Sequence, residues 1–163
     1  VTLNSRRFEV REIGGRRLER WQVYPEIVDS DLVINVPVAK HHGLADATFC
    51  MKNYMGVVGG QRSAWHQDLH TCLVEITRYM KPRLCVLDAM RILTAHGPQG
   101  GNPDDVEVVG AVAAGTDIVA MDALGAEIMG HAPTDIASIR AGHAAKLGEI
   151  DYRKLAFKAE ELS

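Results

Sequence analysis

"RSAWHQDLHTCLVEITRYM", residues Arg62 to Met80, decides the fold class. Trp65, Leu69, Leu73, Ile76 and Met80 recur at the spacing of one helical face, and Pro82 predicts where the helix stops. On either side stand short apolar runs rich in branched residues, "LVINVPV" from Leu32 to Val38 and "RLCVLDA" from Arg83 to Ala89. Both read as strands buried on two faces, the first ending near Pro37 or lying at an edge there. Strand, long helix, strand is a βαβ crossover, which predicts parallel neighbours and an α/β fold.

Outward from that unit, "DVEVVGAVAAG", Asp105 to Gly115, reads as a third strand. "TDIVAMDALGAEIMG" follows as a helix with Thr116 or Asp117 as its N-cap and Gly130 as its stop. "APTDIASIRAGHAAKLG" predicts another helix, capped near Thr134 or Asp135, and the tail "DYRKLAFKAEELS" a last helical stretch. At the other end, "RFEVREIGGRRLERWQV" alternates on both sides of Gly14 and Gly15, a hairpin signal. Its arms are rich in Arg and Glu, so residues 1–24 are expected to form a solvated, peripheral ribbon. The expectation is one α/β domain over residues 1–163, with a mostly parallel sheet flanked by helices and an N-terminal β-hairpin.

The bulk properties narrow the function. A chain of 163 residues suits one core, and 47% hydrophobic with 24% charged residues is ordinary for a globular protein. A net charge of −3 gives no general attraction to nucleic acid or anionic membrane. No apolar run reaches the roughly 18 to 20 residues that span a bilayer. The first ten residues lack the apolar core of a signal peptide, and the chain opens on Val1 rather than methionine, which suits a fragment or a processed protein. Cys50, Cys72 and Cys85 are far apart and form no C-x-x-C pair. That spacing predicts reduced, buried thiols in a cytoplasmic protein, and no iron–sulfur cluster held by this chain alone.

In open parallel sheets, ligands sit beyond the carboxyl ends of the strands. Three predicted strands end in polar groups: Lys40, His41 and His42 after the first, Asp88 in the second, Thr116 and Asp117 after the third. "MKNYMG" adds Lys52 and Asn53, and the helix segment adds Arg62 and His66. The glycine-rich "GVVGGQR" and "HGPQGGN" are available to close over that edge. Lysines and an arginine gathered there would suit phosphate or carboxylate groups. His42 and His66 are the candidates for proton transfer. Asp122 shares a helical face with Ile118, Met121, Gly125 and Met129, so its carboxyl must be paired, ligating or protonated. His66 and His70 are four apart, a spacing that holds a metal only with a further ligand.

Together, "SDLVINVPVAKHH", "MKNYMG", Arg62 with His66, "VLDA", "HGPQGG" and "AGTDIVAMDALGAEIMG" resemble the family called domain of unknown function 362, over roughly Ser30 to Gly148. The resemblance implies association with iron–sulfur proteins, whose cluster would belong to another domain or a ferredoxin-like partner. Members usually carry an α/β portion ahead of this region, which implies part of a longer protein or a naturally short form. A fainter resemblance is to the catalytic region of lactate racemase-like proteins, with His42, Lys52 and His66 in similar order. There the lysine carries a nickel-pincer nucleotide, but "CMKN" here replaces the "GGxK" lead-in.

The leading expectation is thus a redox-associated domain that binds a small anionic cofactor or substrate, either as an enzyme or as a binding domain, through Lys40, His42, Lys52, Asn53, Arg62 and His66. Asp88, Asp117 and Asp122 would supply the acidic side. One alternative is a metal-dependent enzyme using His42 and His66 with Asp88 or Asp122. Another is a non-catalytic scaffold that docks a ferredoxin-like partner. Self-association is compatible with an incomplete sheet and an exposed hairpin.

Overall fold

The computed structural model describes residues 7–99 and 102–161. A two-stranded antiparallel ribbon, β1 (Glu9–Glu12) and β2 (Arg20–Val23), opens the chain. A single turn, α1 (Pro25–Val28), leads to β3 (Ile34–Asn35), β4 (Val38–His42) and β5 (Asp46–Thr48). The short helix α2 (Cys50–Asn53) and two 3-10 segments precede α3 (Leu69–Met80). Two long strands follow, β6 (Leu84–Leu93) and β7 (Val106–Gly115), and then α4 (Ile118–Ile128) and α5 (Ala137–Ala144).

The main sheet is organised around β6. Both β3 and β4 run parallel to it along one edge, with Ile34 opposite Leu84 and Val38 opposite Asp88. They are one extended segment interrupted at Pro37, whose nitrogen cannot donate to the ladder. Its carbonyl still accepts from the Asp88 amide at 2.9 Å, which keeps the segment in line. β5 turns back antiparallel on β4, with Lys40 opposite Thr48. The predicted βαβ unit is therefore present.

The third strand corrects the sequence reading. β7 runs antiparallel to β6, pairing Cys85 with Gly115 and Leu93 with Val106. Its C-terminal end, carrying Thr116 and Asp117, therefore lies at the end of the sheet where β6 begins, opposite to the end where β4 delivers Lys40 and His42. At about 3.3 Å per residue the two ends are roughly 25 Å apart.

A second correction concerns burial. Cys85, Leu87, Ala89 and Ile92 of β6 and Ala39 of β4 are buried, and so are Leu73 and Ile76 of α3 and Val119, Ala123 and Ala126 of α4. The strand side chains of opposite parity are not covered: Ile34, Val36 and Val38 keep about half their surface exposed, and Val112 61%. The strands predicted to be buried on both faces are buried on one among the described residues.

The long helix is also divided. Arg62–Gln67 forms a 3-10 segment and the α-helix starts at Leu69, because Asp68 leaves helical geometry (φ −154°, ψ 58°). The helix expected from Thr134 or Asp135 begins at Ala137, with Ile136 at its N-cap, and ends at Ala144. The described part of the tail contains one 3-10 turn, Tyr152–Lys154, in place of the expected helix.

The ribbon is charged along its exposed arms but firmly seated. Glu75 on α3 accepts from the amides of Arg16, Arg17 and Leu18, at 2.7 Å for Leu18. A Cβ on Gly15 would fall 2.2 Å from a Glu75 carboxylate oxygen, so only glycine lets the turn approach this closely. Leu18 and Val23 are buried, and Trp21 packs against Trp65, ring centroids 5.6 Å apart and planes tilted by 60°, while donating from Nε1 to the Gly59 carbonyl.

Candidate functional site

β4 delivers Lys40, His41 and His42 in a strand whose next turn folds back as β5. The Nδ1 of His42 accepts from the Leu44 amide at 3.1 Å, so the ring hydrogen of the neutral imidazole sits on Nε2. Burial, then Lys52 and His66, hold its pKa down to about 4, so the ring is uncharged at neutral pH and acts as a hydrogen-bond donor. Its neighbour His41 turns elsewhere, accepting from the Gly97 amide at 3.0 Å.

His66 comes from the 3-10 segment that precedes α3. Its ring lies 6.2 Å from that of His42, centroid to centroid, and within 20° of parallel. His66 Nδ1 stands 3.1 Å from the Ser63 carbonyl, which can only accept. That contact assigns the hydrogen to Nδ1 and leaves Nε2 with a free lone pair.

Lys52 sits on α2, half-buried. Its burial, and then the nearby Lys40 ammonium, lower its pKa to about 8. Neither Lys40 nor Lys52 makes an ion pair among the described residues. Asn53 donates from Nδ2 to Asn35 Oδ1, and Asn35 in turn donates to the Cys50 carbonyl, both at 2.8 Å. This chain of amides ties α2 to β3, so Asn53 orients the helix bearing Lys52. Arg62, on the same segment as His66, is exposed and donates to the Met55 carbonyl at 2.9 Å.

The structure thus gathers Lys40, His42, Lys52 and His66, with Asn53 and Arg62 on the adjoining turns. It does not bring the three aspartates to them. Asp117 caps α4, accepting from the Ala120 and Glu149 amides at 2.9 Å each, at the far end of the sheet. Asp88 lies on the uncovered face and accepts from the Met90 amide. Asp122 is buried inside the core, where its two oxygens accept from the Cys50 and Met51 amides at 2.7 and 3.2 Å. Burial raises its pKa to about 7 against those hydrogen bonds. The acidic side predicted from strand ends is therefore dispersed, because β7 runs the other way and Asp122 serves α2.

Sequence reasoning missed Thr48. It faces Lys40 across the β4–β5 register, and its buried hydroxyl has no hydrogen-bond partner among the described residues. Only its position opposite a lysine on a short return strand could have singled it out. Of the two glycine-rich loops, Gly100 and Gly101 of "HGPQGGN" lie outside the described residues. No group of three His, Cys, Asp or Glu side chains among the described residues is placed to hold a metal ion. His70 instead faces Asp68, at 3.4 Å. No helix among the described residues is long and apolar enough to cross a membrane.

Comparison with known proteins gives two matches. The model of the family described as "Domain of unknown function (DUF362)" matches residues 1–127. A thylakoid-associated protein of Synechocystis sp. is 32% identical over 124 residues, covering 71% of this chain and 38% of that protein. The chain thus spans less than half the length of that curated relative. No solved structure matches the chain. The resemblance to lactate racemase-like proteins finds no support in these matches.

Proposed function

The chain belongs to the family described as domain of unknown function 362, and from its site geometry we propose that it binds a small anionic cofactor or substrate between Lys40, Lys52, His42 and His66. One observation carries the reading. Burial, and then the neighbouring Lys40 ammonium, disfavour the charge on Lys52, and no carboxylate among the described residues pairs with either lysine. A phosphate or carboxylate group placed there would restore its charge and take donors from Lys40 Nζ, Lys52 Nζ and His42 Nε2.

Where the bound molecule reacts, His66 is the proton acceptor through Nε2, while His42 donates and stays neutral. Arg62, held by the Met55 carbonyl, adds a positive charge at the rim. On this reading the chain is the anion-binding part of a redox-associated protein whose redox centre lies in another domain or partner. Three free, buried cysteines suit a reducing, cytoplasmic setting. A docking role toward a ferredoxin-like partner is the second reading, favoured by the thylakoid association of the relative and by the unpaired lysines.

Thermal unfolding with pyrophosphate, citrate or sodium chloride at matched ionic strength tests the first reading. Pyrophosphate or citrate should raise the melting temperature of the wild type and leave Lys52→Met and Lys40→Met unmoved. Equal shifts in all three proteins would remove the basis for an anion site.

A further inference from the structure

The uncovered face of the sheet carries an inference separate from the ligand site. Leu32, Ile34, Val36 and Val38 project from one extended segment, Met90 from β6, and Val106, Val108 and Val112 from β7. Each keeps between 45% and 76% of its surface exposed. Leu84 and Val86 of β6 lie between the two rows, half-buried, at positions paired with Ile34 and Ala114. Scattered exposed aliphatics are ordinary, but a contiguous face of this kind marks a contact surface.

Two charges stand on that face, Asp88 opposite Val38 and Val112, and Arg91 opposite Val108. Neither makes an ion pair among the described residues. One acid and one base, three residues apart across the register shift between Ala89 and Arg91, stand on one apolar field in a self-complementary pattern. Rotated by a twofold axis, the Asp88 of one copy meets the Arg91 of the other. The outer edge of β7 adds to this: it has no strand partner among the described residues, and Glu107 is its one charge in ten residues. Edges that must avoid partners usually carry lysine or proline.

We propose that this face is where a second copy of the chain docks, sheet against sheet, in a symmetric dimer closed by two Asp88–Arg91 pairs. The eight exposed aliphatic side chains present on the order of 500 Å² of apolar surface per copy. Two facing copies then cover about 1,000 Å² before Leu84, Val86 and the backbone are counted, the size at which specific interfaces begin. Stacked sheets of this kind sit about 10 Å apart, with interdigitated side chains.

Sedimentation velocity on the whole chain at micromolar concentrations tests this. The wild type should sediment as a dimer, and a Val36→Asp/Val112→Asp variant as a monomer with unchanged circular dichroism, since both side chains are exposed. Asp88→Arg and Arg91→Asp should each weaken dimerisation by about tenfold or more, and the double reversal should restore it. A monomeric wild type, with or without strong binding of an apolar dye, would overturn the proposal and leave the face to a different polypeptide. So would a dimer that survives both valine substitutions.

Discussion

The imidazoles of His42 and His66 face each other nearly in parallel, 6.2 Å between centroids, though one belongs to a strand and the other to a 3-10 turn. The buried ring, 7% exposed, is the one whose protonation is suppressed, to about 4. The unfolded chain takes up this proton near pH 6.5, before the folded one does. Stability contributed by neutral His42 is therefore complete above pH 6.5, is lost as pH falls toward 4, and is gone below it. Urea unfolding between pH 7 and 4 should show this acid loss in the wild type and a shallower one in His42→Gln.

Lys52 predicts the opposite end of the pH scale. Its folded pKa of about 8 lies below the unfolded value of 10.5. The cost of holding the ammonium in place is fully present below pH 8 and is relieved as pH rises toward 10.5. Lys52→Met should accordingly raise the melting temperature at pH 7, and the gain should shrink as the pH approaches 10.5. A substitution that stabilises the fold while removing anion binding is the pattern of a residue kept for function.

Asp122 is a structural carboxyl. Truncating it to alanine leaves the buried amides of Cys50 and Met51 without acceptors. At roughly 1–3 kcal/mol per orphaned group, Asp122→Ala should lose about 2–6 kcal/mol, read by chemical denaturation. Burial raises its folded pKa to about 7 from 3.8, so the stability gained by protonated Asp122 is full below pH 3.8 and fades as pH rises through 7.

Glu75 holds the ribbon to α3 through three backbone amides. Hydrogen bonds to a charged group are worth about 1.5–3 kcal/mol when buried and less where water competes. Glu75→Ala should cost about 2–4 kcal/mol in total and speed amide hydrogen exchange at Arg16, Arg17 and Leu18. Gly15→Ala should produce the same local exchange pattern, because its Cβ would displace the Glu75 carboxylate.

The βαβ unit was legible in the sequence because branched runs and a helical stripe encode element type directly. Strand direction is not encoded in apolarity, so β7 was read in the wrong sense. The connection from Leu93 to Val106 did contain a signal: it has no helical stripe, whereas a parallel crossover usually needs a helix. That one reversal sends Asp117 to the other end of the sheet. The uncovered face was hidden for a related reason, since "LVINVPV" is more apolar on its exposed side, Leu32, Ile34, Val36 and Val38, than on its covered one, which carries Asn35. Lys40, His42, Lys52 and His66 were legible as a cluster because a tight β4–β5 return, a short helix and a turn leave little freedom over that stretch. Thr48 was not, because an orphaned hydroxyl is visible only once its neighbours are placed.

The central claim is that Lys52 stands uncompensated beside Lys40 in a site built for an anion. Carbon-13 NMR of lysine-labelled protein, with the Lys52 signal assigned through Lys52→Arg, measures this directly. The Lys52 amine should titrate near pH 8 and move upward when pyrophosphate is added. A titration at the ordinary lysine value of 10.5, indifferent to pyrophosphate, would contradict the account.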